Sequence, residues 1–168
     1  SILSNNGDGT FAATVDYGAG SQSSSVFAAD LDSDGDTDLA VANCGSDNVS
    51  ILSNNGDGTF AAAVNYGAGS GPRSVFGADL DSDGDTDLAV ANSVSWNVSV
   101  LLNNGDGTFA AAVNYAAGLS PYAVFGADLD SDGDTDLAVA NYGSNNVSIL
   151  LNNGDGTFAG AVNYGAGS

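Results

Sequence analysis

Apolar and polar residues alternate along much of this chain. Between residues 97 and 103, for example, Val98, Val100 and Leu102 occupy every second position. A period of two is typical of β-strands that bury one face, and β-branched residues favour the same conformation. Asn-Gly, Asp-Gly and Gly-rich turn signals separate the alternating segments, and no stretch has helical periodicity. The pattern therefore predicts an all-β protein.

Four short strands are predicted in the segment 71–119, and we denote them A, B, C and D. Their ranges are 74–80, 88–92, 97–103 and 108–115. In strand D, the alternation is expected to place Phe109, Ala111, Val113 and Tyr115 on one face.

The same pattern recurs every 49 residues, as the spacing of Phe11, Phe60, Phe109 and Phe158 shows. Residues 1–21 match residues 148–168 at most positions, so the chain begins with a partial repeat that carries strands C and D. Three whole repeats follow, and together the four segments are interpreted as one repeat domain. The repeats are 1–21 (partial), 22–70, 71–119 and 120–168.

Four antiparallel strands in about 40–50 residues is the spacing of a β-propeller blade. The second face of each strand is rich in Ala, Gly and Ser, which suits sheets that stack closely. The predicted fold class is therefore a tandem array of four-stranded antiparallel propeller-type blades. An open stack or a solenoid of small sheets would satisfy the same pattern and remains an alternative.

Between strands A and B, each whole repeat carries the same nine residues, DLDSDGDTD, at 30–38, 79–87 and 128–136. Oxygen ligands at alternate positions, with Gly at the sixth position for a sharp turn, are what a hard cation of calcium's size requires. The candidate ligands are Asp30, Asp32, Asp34, Asp36 and Asp38 in the first repeat, Asp79, Asp81, Asp83, Asp85 and Asp87 in the second, and Asp128, Asp130, Asp132, Asp134 and Asp136 in the third.

In the first of these loops, the side chains of Asp30, Asp32, Asp34 and Asp38 are expected to converge, while Asp36 contributes its backbone carbonyl. The loop is not an EF-hand, because Val41 occupies the position that needs a bidentate Glu. Mg²⁺ is disfavoured, since a cage of protein carboxylates suits the larger and more flexible calcium shell. The sequence thus predicts three Ca²⁺ sites with a structural role; the plainer alternative is a solvated acidic turn.

Composition and charge exclude several classes of function. The chain has 21 acidic residues, all Asp, and one cation, Arg73, for a formal net charge of −20. Such a surface repels phosphate backbones and anionic lipids, so no nucleic-acid partner is expected, and no apolar run is long enough for membrane insertion. Because His, Lys and Glu are absent, no ordinary general base is present, and we expect no enzymatic activity. Cys44 is the single cysteine, which rules out an internal disulfide.

The segments SVFGADLDSDGDTDLAVAN and VSVLLNNGDGTFAAAVNY resemble the FG-GAP, or VCBS-type, repeat of integrin α-subunit propellers and many bacterial surface proteins. The resemblance covers the whole period of the repeat. It implies a propeller blade with calcium in the A–B loop, an extracellular or cell-surface location, and a role in cell adhesion or carbohydrate binding. Such propellers usually have about seven blades, whereas this chain has three and a part.

Loop variation separates the two edges of the predicted blade. The A–B loop and the C–D turn, NNGDGT, are invariant, whereas the B–C loops (44–47, 93–96 and 142–145) and the D–A loops (21–25, 70–74 and 119–123) differ. The variable loops carry Trp96, Tyr122, Tyr142, Arg73 and Cys44, and aromatic rings there could stack on sugars; drift in unconstrained loops is the simpler explanation.

Two further recurring motifs have structural interpretations. The NNGDGT turn is expected to be a tight hairpin with positive φ at Gly, which leaves no metal role for Asp8, Asp57, Asp106 and Asp155. Asn48, Asn97 and Asn146 each begin an Asn-Val-Ser acceptor pattern for N-glycosylation. The alternative is that Asn and Ser suit the start of a strand after a turn, and the sequence favours neither.

A closed propeller needs at least four blades, so this chain is not expected to close alone. Its functional form is then a ring of two chains, a head-to-tail filament, or an excerpt of a longer array. The predicted function is a non-enzymatic, calcium-stabilised, extracellular structural or adhesion module that self-assembles. The alternative is a lectin-like propeller that binds glycans on the edge opposite calcium. Its partners would be further copies of itself, glycans or cell-surface proteins.

Overall fold

The computed structural model describes residues 1–167 and contains twelve β-strands and no helix within that range. The strands are β1 (Ser23–Ala29), β2 (Asp38–Asn43), β3 (Asn48–Leu52), β4 (Val64–Gly67), β5 (Pro72–Ala78), β6 (Asp87–Asn92), β7 (Asn97–Leu101), β8 (Val113–Ala116), β9 (Pro121–Ala127), β10 (Asp136–Asn141), β11 (Asn146–Leu150) and β12 (Val162–Gly165). Accordingly, the described part of the chain offers no helix long and apolar enough to cross a membrane.

The strands form three antiparallel sheets in tandem, each following the order of the chain. Sheet 1 comprises β1–β4, sheet 2 comprises β5–β8, and sheet 3 comprises β9–β12. Each sheet packs against the next, and the array is open rather than closed into a ring. The predicted all-β fold of four-stranded propeller-type blades is therefore confirmed.

Strand register places the invariant and variable loops at opposite edges of each sheet. In sheet 2, Ala78 pairs with Asp87 at one end of the β5–β6 hairpin, whereas Pro72 pairs with Asn92 at the other. Asn97 also pairs with Ala116 at this second end. The aspartate loops and the NNGDGT turns therefore share one edge, and the B–C and D–A loops share the opposite edge.

Strand D differs from its prediction. Val100 pairs with Val113, but Asn103 forms an isolated bridge with Phe109, so the second strand of the hairpin carries one extra residue in between. Such a β-bulge reverses the direction of the side chains that precede it. Phe109 is buried against sheet 1, while Tyr115 packs towards sheet 3. The expectation that Phe109 and Tyr115 share a face was therefore wrong.

The partial repeat 1–21 forms a looser hairpin than the predicted strands C and D. It is held by two isolated bridges, Ile2 with Val15 and Asn5 with Phe11. The ring of Tyr17 meets the ring of Phe60 edge-on at 5.4 Å, as Tyr66 meets Phe109 one repeat later. The segment thus contacts sheet 1 in the way that each sheet contacts the next.

The hydrophobic core lies between the sheets. One cluster joins sheets 1 and 2, with Val49 and Leu88 fully buried, and a second joins sheets 2 and 3, with Val98 and Leu137 fully buried. Small residues allow the close approach that the sequence predicted. A Cβ atom added at Gly126 would lie only 2.5 Å from the ring of Phe76 in the preceding sheet.

Candidate metal centres and the opposite edge

Each aspartate loop connects the first two strands of its sheet, and we number the loops by sheet: loop 1 (30–38), loop 2 (79–87) and loop 3 (128–136). The loop closes tightly because its last aspartate begins the second strand, as Asp38 does through its pairing with Ala29. Gly35 has a φ of 92° and Ser33 a φ of 61°, so the chain curls inward instead of extending.

Three carboxylates converge in every loop. Each aspartate offers one oxygen, and these oxygens lie within 4.8 Å of one another. The groups are Asp30, Asp32 and Asp38 in loop 1, Asp79, Asp81 and Asp87 in loop 2, and Asp128, Asp130 and Asp136 in loop 3. These three groups could hold a metal ion.

The last aspartate of each group is fully buried and anchors the loop. Asp38 accepts hydrogen bonds from the backbone N–H groups of Leu31, at 2.8 Å, and Asn54, at 2.7 Å. Asp87 and Asp136 accept the equivalent pairs of bonds. The carboxylate therefore fixes both the aspartate loop and the NNGDGT turn beside it.

The second aspartate of the group lacks a hydrogen-bond partner for one of its carboxylate oxygens in loops 1 and 2. The Oδ1 atoms of Asp32 and Asp81 are buried and have no hydrogen-bond partner. Burial raises the pKa of Asp32, and the nearby carboxylates of Asp38 and Asp34 raise it further. Burial also raises the pKa of Asp87 to about 6. An unpartnered oxygen among like charges is the kind of ligand atom that a hard cation would satisfy, so the residues present fit a bound divalent ion.

The structure brings together fewer side chains than the sequence indicated. Asp34 lies near Asp32 and raises its pKa, but its Oδ1 accepts the N–H of Asp36, and it is not part of the converging group. The carboxylate of Asp36 lies beside Gly56 of the turn, where an added Cβ would be 2.8 Å from Oδ2. The equivalent residues that stand outside the converging groups are Asp83, Asp85, Asp132 and Asp134.

The NNGDGT turn is a hairpin with positive φ at both glycines, at 81° for Gly56 and Gly58. Asp57 accepts hydrogen bonds from the backbone N–H and the hydroxyl of Thr59, and these bonds lower its pKa. Asp8, Asp106 and Asp155 make the same bonds. Their carboxylates thus cap the turn and do not belong to the three groups that could hold a metal ion.

Aromatic side chains cluster at the opposite edge of sheet 3. The rings of Tyr122 and Tyr142 lie 5.4 Å apart, and both are exposed. The guanidinium carbon of Arg73 lies 5.3 Å from the centre of the Tyr122 ring, a cation–π geometry. The buried Oδ1 of Asn141, near the same edge, has no hydrogen-bond partner. Trp96 lies on the B–C loop of sheet 2 with a φ of 56°, a backbone conformation that non-glycine residues rarely adopt.

A buried polar network underlies this edge in every sheet. Asn43 donates from Nδ2 to Asn48 and to Ser50, and Ser50 in turn donates to Asn65. Asn97 and Asn146 accept equivalent bonds in sheets 2 and 3. The residues of the Asn-Val-Ser pattern therefore have a structural role at the start of the third strand of each sheet.

A set of contacts between neighbouring sheets is not evident from the sequence. Asn103, in the turn of sheet 2, donates from Nδ2 to the carbonyl of Leu31 in loop 1, at 2.8 Å. Asn152 makes the same bond to Leu80 in loop 2. The invariant sequence of the turn indicates that it has a conserved role in every repeat. The alternation of apolar and polar residues, however, does not show to which loop the Asn side chain donates a hydrogen bond.

The family to which the chain belongs follows from its repeats. The model of the FG-GAP-like repeat matches residues 1–41, 30–90, 79–139 and 128–168, which together cover the whole sequence. The chain belongs to the FG-GAP-like repeat family. Each of the four matches contains at least one complete aspartate loop, so the family pattern coincides with the groups that could hold a metal ion.

Comparison with solved structures gives a lectin of the same architecture. An Agrocybe aegerita lectin that specifically recognises non-reducing terminal N-acetylglucosamine matches 96% of this FG-GAP-like chain, at 26% identity and a TM-score of 0.63. The match covers 45% of the lectin chain, so the present chain spans about half of its length. The Photorhabdus luminescens Tc holotoxin pore matches 83% of the chain and 7% of its own, at 25% identity and a TM-score of 0.46. No curated protein matches the sequence.

Proposed function

We propose that this FG-GAP-like chain is a non-enzymatic, calcium-stabilised structural or adhesion module. The convergence of three carboxylates in every aspartate loop carries the proposal. The unpartnered buried oxygens of Asp32 and Asp81 support it, because a cation would supply the interaction that the protein does not.

Calcium suits these loops better than the smaller magnesium ion. Ca²⁺ accepts six to eight oxygen ligands in flexible geometry, whereas Mg²⁺ requires near-ideal octahedral geometry and keeps several waters. Asp30, Asp32 and Asp38 offer hard oxygen atoms only, and each loop also has backbone carbonyls. When bound, the ion would neutralise carboxylates that otherwise repel one another. Its role here is structural, because it holds the loop that joins the first two strands.

An extracellular location agrees with the charge of the chain. The formal net charge is −20, and 15 of the 21 acidic residues belong to the three loops. Calcium is abundant outside cells, so even sites of millimolar affinity, typical of extracellular modules, would stay filled there. The absence of His, Lys and Glu from the sequence supports a role in scaffolding or adhesion rather than catalysis.

Calorimetric titration of metal-depleted protein with calcium tests the proposal. We expect three calcium ions per chain, and we expect Asp32→Asn to remove one of them. Asp57→Asn is the matched control, because Asp57 caps the turn and Asn can accept the same hydrogen bonds. Binding of no calcium at millimolar concentration would contradict the proposal, as would equal losses in the two variants.

The outer faces of the array support self-association as part of this function. Val26, on the outer face of sheet 1, is 61% exposed, whereas the equivalent Val75 and Val124 are each 6% exposed between sheets. Phe125, on the outer face of sheet 3, is 65% exposed. Residues 1–21 cover only part of this face of sheet 1, so a second copy that docks sheet 3 against the uncovered part would extend the contact that the chain already makes twice within itself.

Glycan binding at the variable edge is a second candidate function. The observation that favours it is the exposed pair of Tyr122 and Tyr142, with the half-buried Arg73 against the Tyr122 ring. Aromatic faces stack on sugar rings. The N-acetylglucosamine-recognising lectin shares the architecture of the chain.

Titration with N-acetylglucosamine, followed by tyrosine and tryptophan fluorescence, tests the second candidate. We expect a saturable change that Tyr142→Ser abolishes. Tyr164→Ser is the control, because Tyr164 is an exposed tyrosine of sheet 3 outside the Tyr122–Tyr142 pair. A wild-type protein that gives no sugar-dependent signal would exclude this candidate for that sugar.

A further inference from the structure

Loops 1 and 2 are each covered by the turn of the following sheet. Asn103, which is buried, donates from Nδ2 to the carbonyl of Leu31 in loop 1 at 2.8 Å. Its backbone N–H donates to Oδ1 of Asp87, in loop 2, at 2.7 Å. One residue therefore touches a metal-competent carboxylate of its own sheet and the backbone of the preceding loop.

Further contacts join the same two loops. A Cβ atom added at Gly107, in the turn of sheet 2, would lie 2.8 Å from Cβ of Asp32. The hydroxyl of Ser33 lies 3.5 Å from Oδ1 of Asp85. Because Asp32 is one of the converging ligands of loop 1, the following sheet limits how that ligand can move.

The contacts recur between sheets 2 and 3. Asn152 donates to the carbonyl of Leu80 at 2.8 Å, and its N–H donates to Oδ1 of Asp136. A Cβ atom added at Gly156 would lie 3.0 Å from Cβ of Asp81. Loops 1 and 2 are thus covered in the same way.

Loop 3 differs from the other two. Leu129 is 47% exposed, whereas the equivalent Leu31 and Leu80 are each 1% exposed. Within residues 1–167, no Asn of a following turn reaches the carbonyl of Leu129. The ligands Asp32 and Asp81 are half-buried, while Asp130 is exposed.

We propose that Asn103 and Asn152 are positioning residues that couple calcium binding in neighbouring loops. An ion in loop 2 fixes Asp87, which fixes the N–H of Asn103, and the Asn103 side chain then holds loop 1 in its closed form. Loop 2 receives the same support from loop 3 through Asn152. Because such coupling is reciprocal, it does not by itself rank the loops. Loops 1 and 2 bind calcium more tightly than loop 3 because an Asn side chain holds each of them closed, whereas none within residues 1–167 holds loop 3. This inference rests on the proposed calcium function.

The test is a calcium titration of ¹⁵N-labelled protein followed by NMR. The amide signals of Leu31, Leu80 and Leu129 report each loop separately, because each N–H donates to the buried aspartate of its loop. In the wild-type chain, we expect the signals of Leu31 and Leu80 to reach half of their change at a calcium concentration at least about fivefold lower than that of Leu129. A factor of about five is the lower end of typical coupling between sites. Three equal midpoints would overturn the inference and leave the calcium function standing, whereas no calcium-dependent shift in any loop would overturn the calcium function itself.

Asn152→Ala separates coupling from general stability. We expect it to raise the Leu80 midpoint about tenfold, and the Leu31 midpoint by a smaller factor, because loop 1 depends on loop 2. Asn54→Ala is the matched control, because Asn54 makes the same bonds to Asp38 and Thr37 but none to a preceding loop. The control should leave Leu80 unchanged, and equal shifts in all three loops would show a merely structural role.

A second variant decides the question if Asn152→Ala does not fold. Asp130→Asn, on the exposed loop, removes a ligand of loop 3 while leaving Asn152 in place. We expect the Leu80 midpoint to rise and the Leu31 midpoint to rise by a smaller factor. An unchanged Leu80 midpoint would overturn the coupling.

Discussion

At the scale of single residues, buried aspartates organise the edge that carries the metal-competent groups. Asp38, Asp87 and Asp136 each join an aspartate loop to its neighbouring turn through two backbone hydrogen bonds. A buried carboxylate costs free energy unless hydrogen bonds or a cation compensate it. The backbone bonds compensate part of this cost, and the proposed calcium ion would compensate the rest.

Trp96 provides a prediction at this scale. It has a φ of 56°, and the equivalent residues Asp47 and Asn145 have φ values of 53° and 50°. Asn and Asp tolerate this left-handed region, whereas other L-residues lose roughly 1 kcal/mol or more there. We therefore expect Trp96→Asn to raise the free energy of unfolding by about 1 kcal/mol, as measured in urea.

Asn145→Trp is the reciprocal control, and we expect it to destabilise the protein by a similar amount. If Trp96→Asn lowered the stability, packing of the indole would outweigh the backbone strain. Retained glycan binding in Trp96→Asn would also show that the sugar candidate does not depend on this ring.

At the scale of strands and sheets, glycine sets the distance between neighbouring blades. Gly77 faces the ring of Phe27, and Gly126 faces the ring of Phe76. The rings of Phe76 and Phe125 lie 5.0 Å apart, which continues the row of aromatic side chains across the sheets. Ala28 is the equivalent residue of sheet 1, where no preceding sheet lies against it in the described chain.

Gly126→Ala tests this packing. The added methyl group would lie 2.5 Å from the Phe76 ring and 2.8 Å from Cγ2 of Thr135. We expect the free energy of unfolding to fall by about 1–3 kcal/mol, the usual cost of overpacking a close-packed interior. Gly160→Ala is the control, because nothing lies within 4 Å of the position of its added Cβ. An equal, small effect in both variants would contradict the close contact.

The sequence was sufficient to predict most of the strands and the position of the aspartate groups that could hold a metal ion, because both depend on local spacing. Val98 and Val100 point to the same core, as their alternation indicated. The bulge between Phe109 and Val113 was not predictable, since one extra residue leaves the apolar pattern nearly unchanged while it reverses the faces. The bond from Asn103 to Leu31 spans 72 residues and depends on how two sheets stack, which periodicity does not describe.

At the scale of the whole molecule, the chain is an open array with two dissimilar ends. Sheet 3 presents Phe125 and sheet 1 presents Val26, both exposed. Between the sheets of one chain, the phenylalanine of one sheet packs against a glycine of the next sheet. If sheet 3 of a second copy docked on the outer face of sheet 1, its Phe125 would instead pack against Ala28. A docked second copy would therefore fit less closely than the internal sheets fit one another.

Ala28→Gly should strengthen self-association by removing this methyl group, and Phe125→Ser should weaken it by removing the ring. Light scattering in millimolar calcium measures the molar mass of each variant across a concentration series. We expect Ala28→Gly to reach oligomers at lower concentration than the wild-type chain, and Phe125→Ser to stay monomeric. A wild-type chain and both variants that remain monomeric throughout would contradict assembly through these faces.

Thermal unfolding with and without calcium decides whether the ion stabilises the fold. The protein is melted in millimolar calcium and again after chelation, at a protein concentration where its oligomeric state is the same in both conditions. Because binding to the folded state alone adds stability, we expect chelation to lower Tm substantially. We also expect it to have no effect on a chain that carries Asp32→Asn, Asp81→Asn and Asp130→Asn together. If the wild-type chain melted at the same temperature with and without calcium, the account of a calcium-stabilised module would be wrong.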